Sequence, residues 1–206
     1  MVYQRKDAHY RKAKSEGLRA RSAYKLAELD DRFRLLRRGD RVVDLGAWPG
    51  GWLQVALERI GPTGRLIGVD VVPIDPLPAP NVTLVTGDVR DSAVLDDLRT
   101  RLGGRADVVL SDVAPKLTGV RAVDETRTAE LVSAVIGSLA RLLRPGGRAL
   151  VKLFMDPTYP ETVARMRGLF DRVRSTRPEA SRRGSAEIYL AGEGFGGNPA
   201  TPGGCG

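Results

Sequence analysis

Arg41-Val42-Val43-Asp44-Leu45-Gly46-Ala47-Trp48-Pro49-Gly50-Gly51-Trp52-Leu53-Gln54-Val55-Ala56-Leu57 reads as a strand, a glycine turn and the start of a helix. The run from Arg41 to Leu45 is apolar and β-branched, and too short for a helix. Glycines stop it. From Trp52 onward the apolar residues recur at helical spacing. In a sheet built of such units, ligands bind beyond the carboxyl ends of the strands, where loops lead into helix N-termini. Gly46, Gly50 and Gly51 fall there. Without a Cβ they let the backbone approach a ligand and adopt dihedrals that a side chain forbids. A tight turn that binds nothing is the plain alternative.

Outward from this unit the same alternation continues. Leu66 to Asp70, Val82 to Val85 and Asp107 to Asp112 have strand character. The proline-rich stretch Pro73 to Pro80 is a loop. Ala93 to Leu102 reads as a helix, and Thr126 to Leu143 as a long one ended by Pro145-Gly146-Gly147. Ala149 to Phe154 is a fifth strand and Glu161 to Phe170 a helix. Asp171 to Arg177 and Ala186 to Leu190 close the series as two more strands. Strands alternating with helices, several of them continuous apolar runs, specify an α/β fold of Rossmann-like type: a seven-stranded, mainly parallel sheet with helices on both faces. Three segments are expected: a basic helical lead-in over 1–38 packed on the same domain, a ligand-binding domain over 39–192, and a disordered Gly/Pro-rich tail over 193–206.

At 206 residues the chain suits one domain. No apolar run approaches the roughly 20 residues needed to span a bilayer, and the first residues lead into charges, so a cytoplasmic protein with no membrane partner is expected. Cys205 and His9 are each the only residue of their kind, which leaves no disulfide and no cysteine- or histidine-based metal site. The net charge of +8 is concentrated in residues 1–41, where 13 Lys and Arg face 6 Asp and Glu. Such a patch attracts a phosphate backbone over a Debye length of roughly 8–10 Å. A solvated basic face is the other reading.

Three aspartates stand at strand ends. Asp70 follows the glycine loop by about 20 residues, where a carboxylate accepts hydrogen bonds from ribose hydroxyls. Asp88 stands where it can accept from an adenine amino group. Asp44, just before the loop, suits a cofactor with an ammonium and a sulfonium rather than a pyrophosphate. The loop also lacks the Gly-x-Gly-x-x-Gly of a nicotinamide dinucleotide site, which disfavours an oxidoreductase. Taken singly, an aspartate after a strand more commonly caps a helix. Together they outline a pocket for S-adenosylmethionine.

Methyl transfer requires an oriented nucleophile and a path for its proton. No cysteine lies near a strand end, which argues against methylation at a pyrimidine carbon. Ser111-Asp112-Val113-Ala114-Pro115 lacks the pattern of an adenine amino methylase. Lys152, inside the apolar run Leu150-Val151-Lys152-Leu153-Phe154, needs a carboxylate partner if buried, and Asp112 on the neighbouring strand end supplies one. A side chain that snorkels to solvent is the alternative.

Gly17-Leu18-Arg19-Ala20-Arg21-Ser22-Ala23-Tyr24-Lys25-Leu26, the loop Asp44 to Trp52, Ser111 to Pro115, Val151 to Phe154 and Ser181 to Tyr189 occur here in one order. In that combination the chain resembles the RrmJ/FtsJ-type ribosomal-RNA ribose 2′-O-methyltransferases, from about Tyr10 to Leu190. The resemblance implies a lysine, aspartate, lysine, glutamate tetrad at Lys25, Asp112, Lys152 and Glu187. It implies methyl-donor contacts at Gly50, Trp52, Asp70, Asp88 and Asp112, beside Asp44, Gly46 and Gly51 from the loop. It further implies a monomer acting without metal on ribosomal RNA in the large subunit, at a uridine of the A-loop of 23S rRNA. Relatives acting on transfer RNA or messenger-RNA caps share the tetrad, and a non-catalytic ribosome-assembly factor on this fold is a further alternative. Trp48, Lys116 and Met155-Asp156-Pro157 depart from the usual pattern. Lys152 would take the 2′-hydroxyl proton or stabilise the developing alkoxide, with Glu187 positioning either lysine. The lead-in and a second cluster, Arg165, Arg167, Arg172, Arg174, Arg177, Arg182 and Arg183, would flank the cofactor edge and grip RNA phosphates. Tyr24 would stack on a base or pack on its helix.

Overall fold

The computed structural model describes residues 15–115, 118–181 and 186–196. His9, Lys116, Arg182, Arg183 and Cys205 lie outside the described residues, as does residue 197 onward of the expected tail. The elements are α1 (Ser22–Phe33), β1 (Arg41–Leu45), α2 (Gly51–Ile60), β2 (Arg65–Asp70), β3 (Val82–Thr86), α3 (Ser92–Leu102), β4 (Ala106–Ser111), α4 (Arg121–Leu142), β5 (Leu143–Phe154), α5 (Tyr159–Leu169), β6 (Phe170–Thr176) and β7 (Glu187–Phe195).

The strands form one seven-stranded sheet in the order β3-β2-β1-β4-β5-β7-β6. Its first five strands are parallel, and β7 runs antiparallel to both β5 and β6. Side chains alternate across the sheet with period two, so each strand feeds two cores. Val43, Leu45, Val109, Val151 and Leu190 pack in one layer with Leu98 of α3, Leu139 of α4 and Met166 of α5. Val42, Leu110, Leu150 and Tyr189 pack in the other with Leu26 and Leu29 of α1 and Leu53 and Ala56 of α2. Each fully buried leucine contributes about 1.5–3 kcal/mol relative to exposure. Helices therefore cover both faces, as the apolar strand runs require.

The apolar residues Ala23, Leu26, Leu29 and Phe33 share one face of α1, which lies against α2. The helix stops where Arg34 turns left-handed at φ 54° and returns its N–H to Asp30 O. The Asp30 side chain then accepts the Leu36 N–H at 2.8 Å. Below it, Arg148 of β5 donates to both oxygens of Asp40 (2.9 and 3.0 Å) and to Leu35 O, a buried pair that fixes the chain between α1 and β1.

Three boundaries differ from the sequence reading by more than two residues. β5 begins at Leu143, ahead of Ala149, because Leu143 pairs with Ala106 and the Arg144 to Gly147 segment bulges before Arg148 meets Val108. α4 begins at Arg121, ahead of Thr126, because the Asp124 carboxylate gathers the Thr118 and Gly119 N–H groups at its start. β7 runs to Phe195, so residues 193–195 are ordered strand and do not belong to the expected tail. Phe195 is buried edge-to-face on Phe170, with centroids 5.4 Å apart.

Candidate functional site

The register of the sheet brings the predicted residues to one end. Asp44 lies opposite Gly68 on β2 and Leu110 on β4, Leu110 opposite Leu150, and Lys152 opposite Tyr189. Carried two residues further, the same register sets Asp70, Gly46, Asp112, Lys152 and Tyr189 level across the carboxyl ends of β2, β1, β4 and β5. Lys152 and Tyr189 share the α1/α2 face, because they alternate with residues of the opposite core.

Lys152 is buried at 6% exposure and does not snorkel. Its Nζ donates to Asp112 O at 2.7 Å and lies 3.0 Å from Asp112 Oδ1. Both contacts at Nζ thus come from one residue, a hydrogen bond to its carbonyl and an ion pair to its carboxylate. Lys25, equally buried on α1, donates to Glu187 Oε2 at 2.6 Å. Of the two lysines, Glu187 holds Lys25. Between the pairs stands Tyr189, fully buried, whose hydroxyl donates to Asp112 Oδ1 at 2.9 Å and lies 3.5 Å from Lys25 Nζ. Burial, then the charges of Asp112 and Glu187, push the phenol far above its ordinary range, so it remains a donor. Reasoning from sequence passed over Tyr189 as a site residue, because a tyrosine in a strand reads as core. Its period-two spacing from Glu187 was the available signal.

At the other end of the row the glycine turn forms a cradle. Gly46 has φ +78°, and an added Cβ would stand 2.6 Å from Val113 Cγ1. Gly50, at φ +108°, opens α2, whose first-turn N–H groups have no intrahelical acceptor. Trp52 belongs to that turn. Its indole is buried, donates to Ser22 O at 2.8 Å and tilts on Tyr189 at 6.0 Å, so only its main chain faces the cradle. Asp70 accepts from Trp48 N at 3.0 Å and Val72 N at 2.9 Å. Asp88 is gripped by Arg90, with Nε 3.0 Å from both carboxylate oxygens, and this pairing holds its carboxyl below the usual range.

Asp44 is the most unusual group. It is fully buried in the floor of the cradle, and neither carboxylate oxygen has a hydrogen-bond partner. Burial, then the charges of Asp112 and Asp70, push its carboxyl well above the ordinary value. An orphaned buried carboxylate calls for a cationic or donor group from outside the protein. Among the described residues, no three His, Cys, Asp or Glu gather as metal ligands, and no helix is long and apolar enough to cross a membrane.

Two members of the second basic cluster lie elsewhere than expected. Arg172 and Arg174 sit on β6, the sheet edge past the lysine pair and away from the glycine cradle. Arg174 also packs over the Phe33 ring at 4.5 Å and pairs with Glu193, so it is partly structural. Tyr24 donates to Glu16 at 2.6 Å.

A reversed strand between β5 and β6, an orphaned carboxylate beneath a glycine turn and a paired lysine near the end of β5, two strands along, define a Rossmann-like methyltransferase fold. The chain belongs to the FtsJ-like methyltransferase family, whose profile matches residues 18–195. It is 47% identical over 193 residues to the ribosomal RNA large subunit methyltransferase E of Methanothrix thermoacetophila, covering 94% of this chain and 74% of that one. A ribosomal RNA methyltransferase crystal structure from Plasmodium falciparum superposes with a TM-score of 0.75 at 30% identity, covering 86% of this chain and 98% of that one. Aeropyrum pernix fibrillarin, solved with S-adenosyl-L-methionine bound, shares the fold at a TM-score of 0.56 and 18% identity, over 77% and 68% of the two chains.

Proposed function

We propose that the chain methylates a ribose 2′-hydroxyl of large-subunit ribosomal RNA with S-adenosylmethionine, at a uridine of the 23S A-loop. The observation that carries this reading is Lys152, buried and held by Asp112 through a hydrogen bond and an ion pair, beside the Lys25–Glu187 pair. The relatives' names supply the ribosomal substrate class.

The residues present fit the donor. Asp44 offers an unpartnered buried carboxylate to its cationic end, Gly46, Gly50 and the start of α2 offer close backbone, and Asp70 offers a carboxylate for its ribose. Asp88, freed in part from Arg90, would take the base. When bound, the donor supplies an electrophilic methyl carbon on sulfur. The protein's part is to present the acceptor oxygen in line and to manage its proton. A direction at Lys152 Nζ left open by the bond to Asp112 O would meet the hydroxyl. Carrying a hydrogen, it stabilises the developing alkoxide; carrying a lone pair, it accepts the proton. Asp112 orients it in both cases.

The test is to incubate the protein with labelled donor and either large ribosomal subunits or free transfer RNA, and then map the methylated ribose. Label on a large-subunit ribose is expected; label on transfer RNA alone would overturn the substrate. Lys152→Ala should lower transfer by roughly 10²- to 10⁴-fold with donor binding retained. Near-normal transfer by that variant would remove Lys152 from the mechanism.

A further inference from the structure

We infer that Arg19 is a positioning residue for the methyl donor, a clasp that holds the two walls of the donor cradle together. The inference rests on the donor reading above. Before entering α1, the chain from Gly17 to Arg21 crosses the outside of the glycine turn. A Cβ added at Gly50 would stand 2.9 Å from Arg19 Nη1 and 3.0 Å from Arg19 Cδ, and one at Gly51 would stand 3.0 Å from Ala20 Cβ. The two glycines thus leave room for this segment.

Arg19 reaches past the turn. Its Nη1 donates to Asp75 O and its Nη2 to Pro76 O, each at 2.6 Å. Those carbonyls belong to the connection between β2 and β3, which follows Asp70 and carries prolines at 73, 76, 78 and 80. Proline has no N–H, so the connection has few backbone donors of its own, and side-chain donors to its carbonyls help to fix it. A planar guanidinium can serve two successive carbonyls at once, which an ammonium cannot do in one fixed geometry.

The segment is anchored at its base as well. Arg19 N donates to Gln54 Oε1 at 2.8 Å, and Gln54 Nε2 donates to Gly17 O at 3.0 Å, both on α2. One short segment therefore touches the glycine turn, the helix behind it and the loop after Asp70, and then continues into the helix that carries Lys25. Composition alone would count Arg19 among the cations that grip RNA phosphates, but its guanidinium is committed to backbone carbonyls.

The experiment uses the full chain and S-adenosylmethionine as the probe, titrated calorimetrically into wild type, Arg19→Ala, Arg19→Lys and Gln54→Ala. Amide exchange is followed over 74–82. Arg19→Ala should weaken donor binding about tenfold and raise the donor KM by a similar factor, with kcat at saturating donor within about threefold. Exchange over 74–82 should quicken. Arg19→Lys should fall between, and Gln54→Ala should shift binding in the same direction through the other anchor. Donor binding by Arg19→Ala within twofold of wild type, with a raised and salt-dependent KM for RNA, would overturn the clasp and make Arg19 a phosphate contact. A fall in kcat with unchanged donor KM would overturn it too. Wild type failing to bind the donor would overturn the donor reading, and this inference with it.

Discussion

Tyr189 donates its phenolic hydrogen to Asp112 Oδ1 over 2.9 Å, onto the same oxygen that Lys152 Nζ approaches at 3.0 Å. The carboxylate that orients the acceptor lysine is thus itself oriented from a third strand. A hydrogen bond to a charged acceptor contributes about 1.5–3 kcal/mol, and 1.4 kcal/mol is a factor of ten. Tyr189→Phe keeps the ring on Trp52 and removes this donor together with the longer contact from Lys25 Nζ. We expect kcat to fall roughly 10- to 100-fold with the fold intact by circular dichroism. An unchanged kcat would show that Asp112 needs no help from β7.

The Lys25–Glu187 pair separates stability from chemistry. Lys25 is 5% exposed, so Glu187→Ala leaves a buried ammonium without its carboxylate. Because Glu187 is partly exposed, the loss should be about 1–3 kcal/mol, below the range for fully buried pairs. Replacing both, as Lys25→Met with Glu187→Leu, should return most of that stability, since apolar residues of similar volume tolerate such sites. Transfer should not return. Recovery of transfer in the double variant would reduce the pair to packing.

The fold was legible in the sequence because its strands are apolar runs and its turns are glycines and prolines. The level row of Asp70, Gly46, Asp112 and Lys152 follows once those strands are laid in parallel register. Tyr189 was not legible, since nothing local distinguishes a buried tyrosine that packs from one that donates to an aspartate on another strand. Arg172 and Arg174 of the second arginine cluster were misplaced for a similar reason. Their position depends on β7 entering the sheet between β5 and β6, which moves β6 to the edge. The strand character of residues 193–195 was hidden by Gly192 and Gly194. Gly192 is needed there because the Phe170 ring would stand 2.7 Å from its Cβ.

Away from the site, Arg148 and Asp40 form the buried contact that locks the α1–β1 connection to β5, with side chains 5% and 9% exposed. Removing one partner of such a pair leaves an uncompensated buried charge, at about 3–5 kcal/mol. Arg148→Ala should therefore lower the denaturation midpoint steeply. Donor affinity measured well below that midpoint should stay within about threefold, because Arg148 precedes Lys152 on β5 by four residues, toward the opposite end of the strand. A selective loss of donor binding without loss of stability would contradict this division.

Asp44 makes the stability of the ligand-free protein fall with pH in a predictable window. Burial, with Asp112 and Asp70 nearby, raises its folded-state pKa well above the ordinary 3.8. A carboxyl with a raised folded pKa binds its proton more tightly in the folded chain than in the unfolded one. The stability this confers is fully present below pH 3.8 and is lost as pH rises through the raised folded value. Asp44→Asn keeps the shape and does not titrate. Its melting temperature should match that of wild type at the acid end and exceed it progressively as pH rises, at roughly 2–4 °C for each kcal/mol. A cationic donor, by contrast, favours the ionised carboxylate, so wild-type donor affinity should strengthen over the same interval while that of Asp44→Asn stays weak and flat. Thermal melts across pH, with and without donor, check both halves. Parallel melting curves for the two proteins would show that Asp44 keeps one protonation state throughout, and equal donor affinity in the two would remove it as the donor's counter-charge.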